Sequence, residues 1–522
     1  MSAGPHDRSR RVFLATAGAM LATGATPRRA KALSRKPLVE TPTNAAELCH
    51  TGPSQLAELI RSRKLSAVEV MTAYLDRIEQ LNPAINAIVS QVPREQAIAQ
   101  AEKADKSVSR SDALGAFHGL PIAIKDTADV AGLPTTVGSE LLVSNIPSQD
   151  SLFVRRLRDA GMIFIGKTNV PDFAGGSHTV NRLFGATRNP YDLERSAGGS
   201  SGGAAAGLSS ALMPIADGSD LGGSIRNPAS FNNLVGLRPS VGRVPGLRTH
   251  GWQSALAVEG PIGRTVRDTA DMLAVMAGPD PRDPLSISDP GERFKQPLHR
   301  DCTDLKIAWA GNLGNLPMDP EVLEICEKAM SHFDDIGCTV EASHPDMSGA
   351  MDAFRVDRAF VFAGLSKWVP ESKRSFLPEH IRWNMNQGLG LDIEDFQRAS
   401  ELRTAAYQRI IEFLAQYDFL ILPTSQVPPF DIEWDWVREI NGQHLQTYID
   451  WMASCCIIST TTLPAVSVPA GFTRDGLPVG IQIVGGFQKD FELLQLAHAF
   501  EEATNYAAKR PDIQPTTASN SP

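Results

Sequence analysis

Two segments dense in glycine and serine have the residue types to do chemistry. The first is Ala197-Gly198-Gly199-Ser200-Ser201-Gly202-Gly203, and the second is Asp220-Leu221-Gly222-Gly223-Ser224-Ile225-Arg226. Glycine lets backbone N–H groups come close to a ligand, and successive N–H groups in such a turn make an anion-binding nest. The anion is then a phosphate or an oxyanion developing on a carbonyl. A phosphate loop carries Gly-Lys-Ser/Thr at a helix start, and neither segment contains a lysine. The pattern therefore points to an oxyanion hole beside a serine that attacks a carbonyl. That serine needs a base, which can be a neutral lysine instead of histidine. Lys125 directly follows the apolar run Leu120-Pro121-Ile122-Ala123-Ile124. Burial there disfavours the ammonium and lowers the lysine pKa, toward the range a general base needs near neutral pH.

The elements that must position these groups alternate in texture. Residues 120–124 and 162–165 are short, continuously apolar runs, as in strands buried on both faces. Asp150 is placed to cap a helix through Ala160 between them, and a third apolar run covers 211–216. Strand followed by helix followed by strand implies an α/β fold with parallel pairing. Upstream, Ser66-Ala67-Val68-Glu69 has the form of a capping box, with apolar residues at helical spacing until Asn82-Pro83 ends the pattern. A second, alanine-rich helix is predicted over 96–106. Strand texture returns at 417–423 and 479–484. The simplest architecture is a single large mixed β-sheet flanked by helices. An N-terminal helical layer over 33–110 precedes a catalytic domain over 111–510. That domain contains a helical, variable insertion at about 285–410, and a loose tail follows over 511–522.

Taken together, these motifs resemble the amidase signature family. The match runs from Gly119-Leu120-Pro121-Ile122-Ala123-Ile124-Lys125-Asp126 and Gly166-Lys167-Thr168-Asn169 through both glycine segments to Gly236-Leu237-Arg238-Pro239. It continues at Gly260–Val266, Tyr417–Thr424, Leu463–Gly471 and Gly476–Gln482. The resemblance implies an amidase working through a Ser–cis-Ser–Lys triad and a covalent acyl-enzyme. Ser224 would be the nucleophile, Ser200, on a cis peptide, the bridge, and Lys125 the base. The N–H groups of Leu221, Gly222, Gly223 and Ser224 would form the oxyanion hole, with Ser201 and Asp220 in support. The stretch Phe173-Ala174-Gly175-Gly176-Ser177-His178, which precedes the first serine block, would line the acyl side of the substrate, with Gly175, Gly176 and Ser177 foremost. Trp434, Trp436 and Trp451 are further candidates for an apolar entrance, and Lys167 has the position of a structural lysine.

Two other readings use the same residues. Gly198-Gly199-Ser200-Ser201-Gly202 also fits the G-x-S-x-G elbow of α/β-hydrolases. That elbow would make Ser200 the nucleophile of an esterase, served by a histidine such as His444 or His498. Within the amidase signature family, the amidase component of glutamyl-tRNA amidotransferase (its A chain type) is the main rival.

Composition narrows the function. Of 522 residues, 42% are hydrophobic and 21% charged, which excludes a disordered, collagen-like or coiled-coil chain. Residues 1–32 hold 6 of the 50 Lys+Arg and 1 of the 59 Asp+Glu, leaving 44 against 58, a net of −14. Such a surface argues against a nucleic-acid partner. Ser9-Arg10-Arg11-Val12-Phe13-Leu14, a short apolar run and Ala30-Lys31-Ala32 have the form of a twin-arginine export signal. The expected location is periplasmic or secreted, with transient contact to the export machinery and no stable membrane insertion. Six scattered cysteines form no CxxC pair. They are expected in the core, and neither a metal nor a cofactor is expected. The expected partner is a small-molecule amide, with a homodimer as an option.

Overall fold

The computed structural model describes residues 41–247 and 255–513. The segment predicted to be an export signal, like the tail from 514 on, lies outside the described residues. Eleven strands matter for the site. β1 (Ile88–Val89), β2 (Pro121–Lys125) and β3 (Ile163–Thr168) form a small sheet, with β3 antiparallel to β1 and parallel to β2. The other eight are β4 (Ala216–Asp220), β5 (Val235–Arg238), β6 (Val258–Gly263), β7 (Lys306–Trp309), β8 (Thr339–Ala342), β9 (Phe419–Pro423), β10 (Ala465–Phe472) and β11 (Pro478–Val484). They make one mixed sheet in the order β8-β7-β9-β11-β10-β5-β6-β4. The β8–β7 and β7–β9 pairs are parallel, and the remaining pairs are antiparallel. The fold is thus α/β around a large mixed sheet, as expected, although the first two predicted strands pair in the smaller sheet. β2 is buried at all five positions, and its first four, Pro121–Ile124, read as an unbroken apolar run.

Ser66 and Glu69 make the predicted capping box: Ser66 Oγ accepts from the Glu69 N–H at 3.1 Å, and Glu69 Oε2 accepts from the Ser66 N–H at 2.7 Å. The helix they start, α1 (Ala67–Ile85), continues past Asn82-Pro83. Pro83 removes one helical hydrogen bond, but the Asn82 side chain holds the departing chain. It accepts from the Ala87 and Ile88 N–H groups and donates to Ile88 O. The next helix, α2 (Arg94–Arg110), is longer than predicted.

Asp150 does not cap the helix Leu152–Asp159; Ser151 occupies that position. Asp150 instead accepts from the Ala131 N–H and pairs with Arg158 at 2.7 Å. The predicted 211–216 strand is displaced to β4, whose Asp217 and Asp220 are buried. The insertion at 285–410 is not purely helical, because β7 and β8 extend the main sheet from within it. All six cysteines are buried free thiols. No helix among the described residues is long and apolar enough to cross a membrane.

Candidate active site

Lys125 ends β2 with its side chain fully buried. Its Nζ lies 2.9 Å from Ser200 Oγ, 2.8 Å from Ser201 Oγ, 2.9 Å from Ser219 Oγ and 3.2 Å from Ser219 O. Among the described residues it forms no ion pair. Its chain neighbour Asp126 pairs instead with Lys167 at 3.6 Å and accepts from the Thr136 hydroxyl and N–H. Lys167 also donates to Ala128 O, so it is structural, as its sequence position suggested. Burial lowers the Lys125 pKa from 10.5 to about 8, the fields of Glu259, Asp217 and Asp220 opposing that shift only in part. The Asp217 carboxylate accepts the Lys125 backbone N–H at 3.1 Å and so ties β2 to β4.

The loop 196–201 is clamped from one side. The Gly199–Ser200 peptide is cis. Ser177 Oγ donates to Gly199 O at 2.5 Å and Thr179 Oγ1 to Gly198 O at 2.7 Å, while Asn227 Nδ2 donates to Ser177 Oγ at 3.1 Å. From Gly202 the chain enters α3 (Gly202–Ser209), a wholly buried helix of small residues. A Cβ at Gly203 would sit 2.3 Å from the Asn169 backbone N, so only glycine lets α3 approach this closely.

Behind the loop 221–225, a buried ion cluster fixes the backbone. Asp220 accepts from Gly223 N–H at 2.8 Å and Ile225 N–H at 3.2 Å. It pairs with Arg226 at 3.0 Å and Arg238 at 3.3 Å. Burial alone would raise the Asp220 carboxyl, but the two guanidinium groups override it and hold it well below the usual carboxylate range. Gly223 has φ +114°, and a Cβ there would meet Cys455 Cβ at 2.6 Å. Of the four N–H groups expected to form the oxyanion hole, that of Gly223 donates to Asp220. The N–H groups of Leu221, Gly222 and Ser224 have no hydrogen-bond partner among the described residues. Replacing Asp220 with alanine strands two buried guanidinium groups. Removing one partner of a buried ion pair costs about 3–5 kcal/mol. Asp220→Ala is expected to lose that much in denaturant unfolding, whereas a loss under ~1 kcal/mol would contradict this role.

Ser200, Ser219 and Ser224 face a common cavity of about 190 Å³. Phe173, Ala174, Leu221 and Ala257 supply apolar wall, and the far side comes from the insertion through Arg358, Val361, Phe362 and Leu365. Gly175, Gly176 and Ser177 do not line it. Gly175 is packed so tightly that a Cβ would collide with Ile381, and Ser177 faces away to hold the cis loop. Of the predicted stretch, Phe173 and Ala174 are the residues that line it. Trp451 stacks on Phe231 in the core, Trp434 stacks on Phe430, and Trp436 packs on the same aromatic cluster; none reaches the cavity. A larger open groove of about 640 Å³, lined in part by Lys103, His118 and Arg158, contains none of the serine–lysine group.

The elbow reading finds no support in this geometry. His444 is exposed beside Glu439, His498 pairs with Glu501 and Glu502, and Ser200 Oγ contacts lysine instead. Among the described residues no hydrogen bond joins Ser200 Oγ to Ser224 Oγ. Sequence reasoning missed Ser219, Asp217, Asn227 and Arg358. Asp217 and Ser219 sit in a polar stretch with no strand texture, and Arg358 has no motif around it.

Comparison with known proteins supports a family assignment. The Amidase family model matches residues 69–494. The acylamidase of Rhodococcus erythropolis is 36% identical over 470 residues, covering 88% of this chain and 96% of that one. The A-type chain of glutamyl-tRNA(Gln) amidotransferase from Moorella thermoacetica is 34% identical, covering 90% of this chain and 99% of its own. A bacterial aryl acylamidase structure superposes with TM-score 0.83 at 29% identity, covering 88% and 99% of the two chains. With a large mixed sheet, a glycine-framed serine loop and sequence likeness along nearly its whole length, this chain belongs to the amidase signature family.

Proposed function

We propose that the protein hydrolyses a carboxylic amide C–N bond through an acyl-enzyme, with Ser224 the nucleophile, Ser200 the relay and Lys125 the base. One observation carries this reading: a fully buried lysine, free of ion pairs among the described residues, is ringed by serine hydroxyls at the cavity that Ser224 lines. A neutral amine has a lone pair to accept the Ser200 proton and two N–H bonds left to donate, one to Ser219 O.

Ser224 Oγ attacks the amide carbonyl as its proton passes to Ser200, whose own proton moves to Lys125. The relay requires the Ser224 hydroxyl to turn toward Ser200 once substrate is bound, as catalytic hydrogen bonds often tighten only in the complex. The N–H groups of Leu221, Gly222 and Ser224 then face the oxyanion, where a single donor is worth roughly 3–4 kcal/mol in related chemistry. The Lys125 proton returns through Ser200 to the leaving nitrogen and the C–N bond breaks. Water attacks the ester by the same route and releases the acid. The apolar walls suit an alkyl or aryl portion of the substrate.

An ester intermediate can be intercepted. Purified protein given an amide and hydroxylamine is expected to form the hydroxamate in competition with the free acid. Hydrolysis with no hydroxamate at any hydroxylamine concentration would count against the acyl-enzyme. The same assay separates the second reading, favoured by the likeness to the amidotransferase chain over 90% of this one. An amidase hydrolyses simple amides as an isolated chain, and activity that appeared only with added partner proteins would favour the amidotransferase.

A further inference from the structure

Four arginines are buried among the described residues: Arg226, Arg238, Arg243 and Arg358. The first two pair with Asp220 and the third with Asp490. Arg358 differs. It lies on α4 (Ala350–Ala363), is 5% exposed and lines the cavity shared with Ser200 and Ser224. No carboxylate pairs with it among the described residues. Its Nη2 donates to the Tyr448 hydroxyl at 2.7 Å, and Nε is buried with no hydrogen-bond partner. Its guanidinium carbon lies 4.5 Å from the Phe362 ring centroid and 5.4 Å from that of Tyr448. Those rings offset part of the cost of burying a permanent cation, but neither supplies a negative charge. Tyr448 in turn donates to Asn384 Oδ1, which turns the hydroxyl oxygen toward Arg358.

A buried guanidinium with unused donors, facing a substrate cavity otherwise walled by Phe173, Val361, Phe362 and Leu365, is built to receive a planar acceptor. We infer that the preferred substrates are amides carrying a carboxylate, set apart from the scissile carbonyl by an apolar chain or ring, and that Arg358 binds that carboxylate. This inference rests on the amidase reading and names its substrate class.

The test compares matched pairs. Succinyl, glutaryl and adipyl mono-anilides are set against butyryl, pentanoyl and hexanoyl anilides, and acetylated aminobenzoates against acetylated toluidines. At least one carboxylated series should exceed its neutral partners in kcat/KM by about tenfold or more, as expected for a charge-assisted bidentate contact. Arg358→Met should bring that ratio close to one, and Arg358→Lys should retain part of it. Thermal unfolding of both variants reports whether they fold. Calorimetry with Ser224→Ala protein reads the same preference without turnover: the carboxylated compounds should bind about tenfold tighter, and the additional Arg358→Met change should remove the difference. Equal kcat/KM and equal binding for charged and neutral partners would overturn the inference while leaving the amidase reading intact. Tighter binding of carboxylated compounds with no hydrolysis of any amide would instead overturn the amidase reading and leave the anion site standing.

Discussion

Ser224→Ala is expected to lower kcat for amide hydrolysis by about 10⁴-fold or more, the scale seen when a hydrolase nucleophile is removed. No other group is placed to form the ester. Ser200 Oγ is 2.9 Å from Lys125 and on the same cavity, but it is buried and oriented toward the base. Substrate binding should survive, because the cavity walls and the three N–H donors remain. Ser200→Ala interrupts the proton route without removing the nucleophile. It should therefore cost less, in the ~10²–10⁴-fold range typical of general acid–base catalysis. Steady-state kinetics on the two variants check the order. Ser200→Ala falling as far as Ser224→Ala, with native-like binding in both, would merge their roles.

The second large effect concerns Lys125. Burial lowers its pKa to about 8, and only the neutral amine accepts a proton. Activity should therefore rise as pH increases through about 8 and be lost toward acid, where the ammonium form dominates. The sign follows from burial lowering a lysine pKa; a lysine held by a carboxylate would shift the other way. Lys125→Ala should remove both the rise and about 10²–10⁴-fold of the rate. A profile of kcat/KM from pH 5 to 10 on native and variant protein measures this. A native rate that falls as pH increases from 6 to 8 would contradict the neutral-lysine base.

Much of this site was legible in the amino-acid sequence because glycine and serine at high density have few structural alternatives. The apolar run before Lys125 announced a buried strand end, and the structure places its Nζ among serines. The first glycine segment reaches that lysine through Ser200 and Ser201, and the Ser201 N–H donates to Ser224 O of the second. The lining of the cavity was legible only in part: of the stretch 173–178, Phe173 and Ala174 line it. Gly175 and Gly176 look like a loop open to substrate, but the helical insertion packs on Gly175, and Ser177 is turned onto Gly199. β4 was misplaced by several residues because its carboxylates resemble a loop. Their burial depends on Arg226, Arg238 and the Lys125 backbone N–H, partners that local texture does not reveal. Gly223 shows the same limit. Its glycine identity was readable, but the loss of its N–H to Asp220 depends on side-chain geometry. The strands β7 and β8 were hidden in a charged, helix-rich segment at the sheet edge, where apolar runs are shortest.

The central claim is that Ser224, activated through Ser200 by Lys125, forms the covalent bond to substrate. A serine-directed fluorophosphonate, followed by proteolysis and mass spectrometry, tests it most directly. The adduct should map to Ser224, form more slowly in Lys125→Ala protein, and be absent from Ser224→Ala. An adduct on Ser200, or equal labelling of Ser224 with and without Lys125, would contradict it.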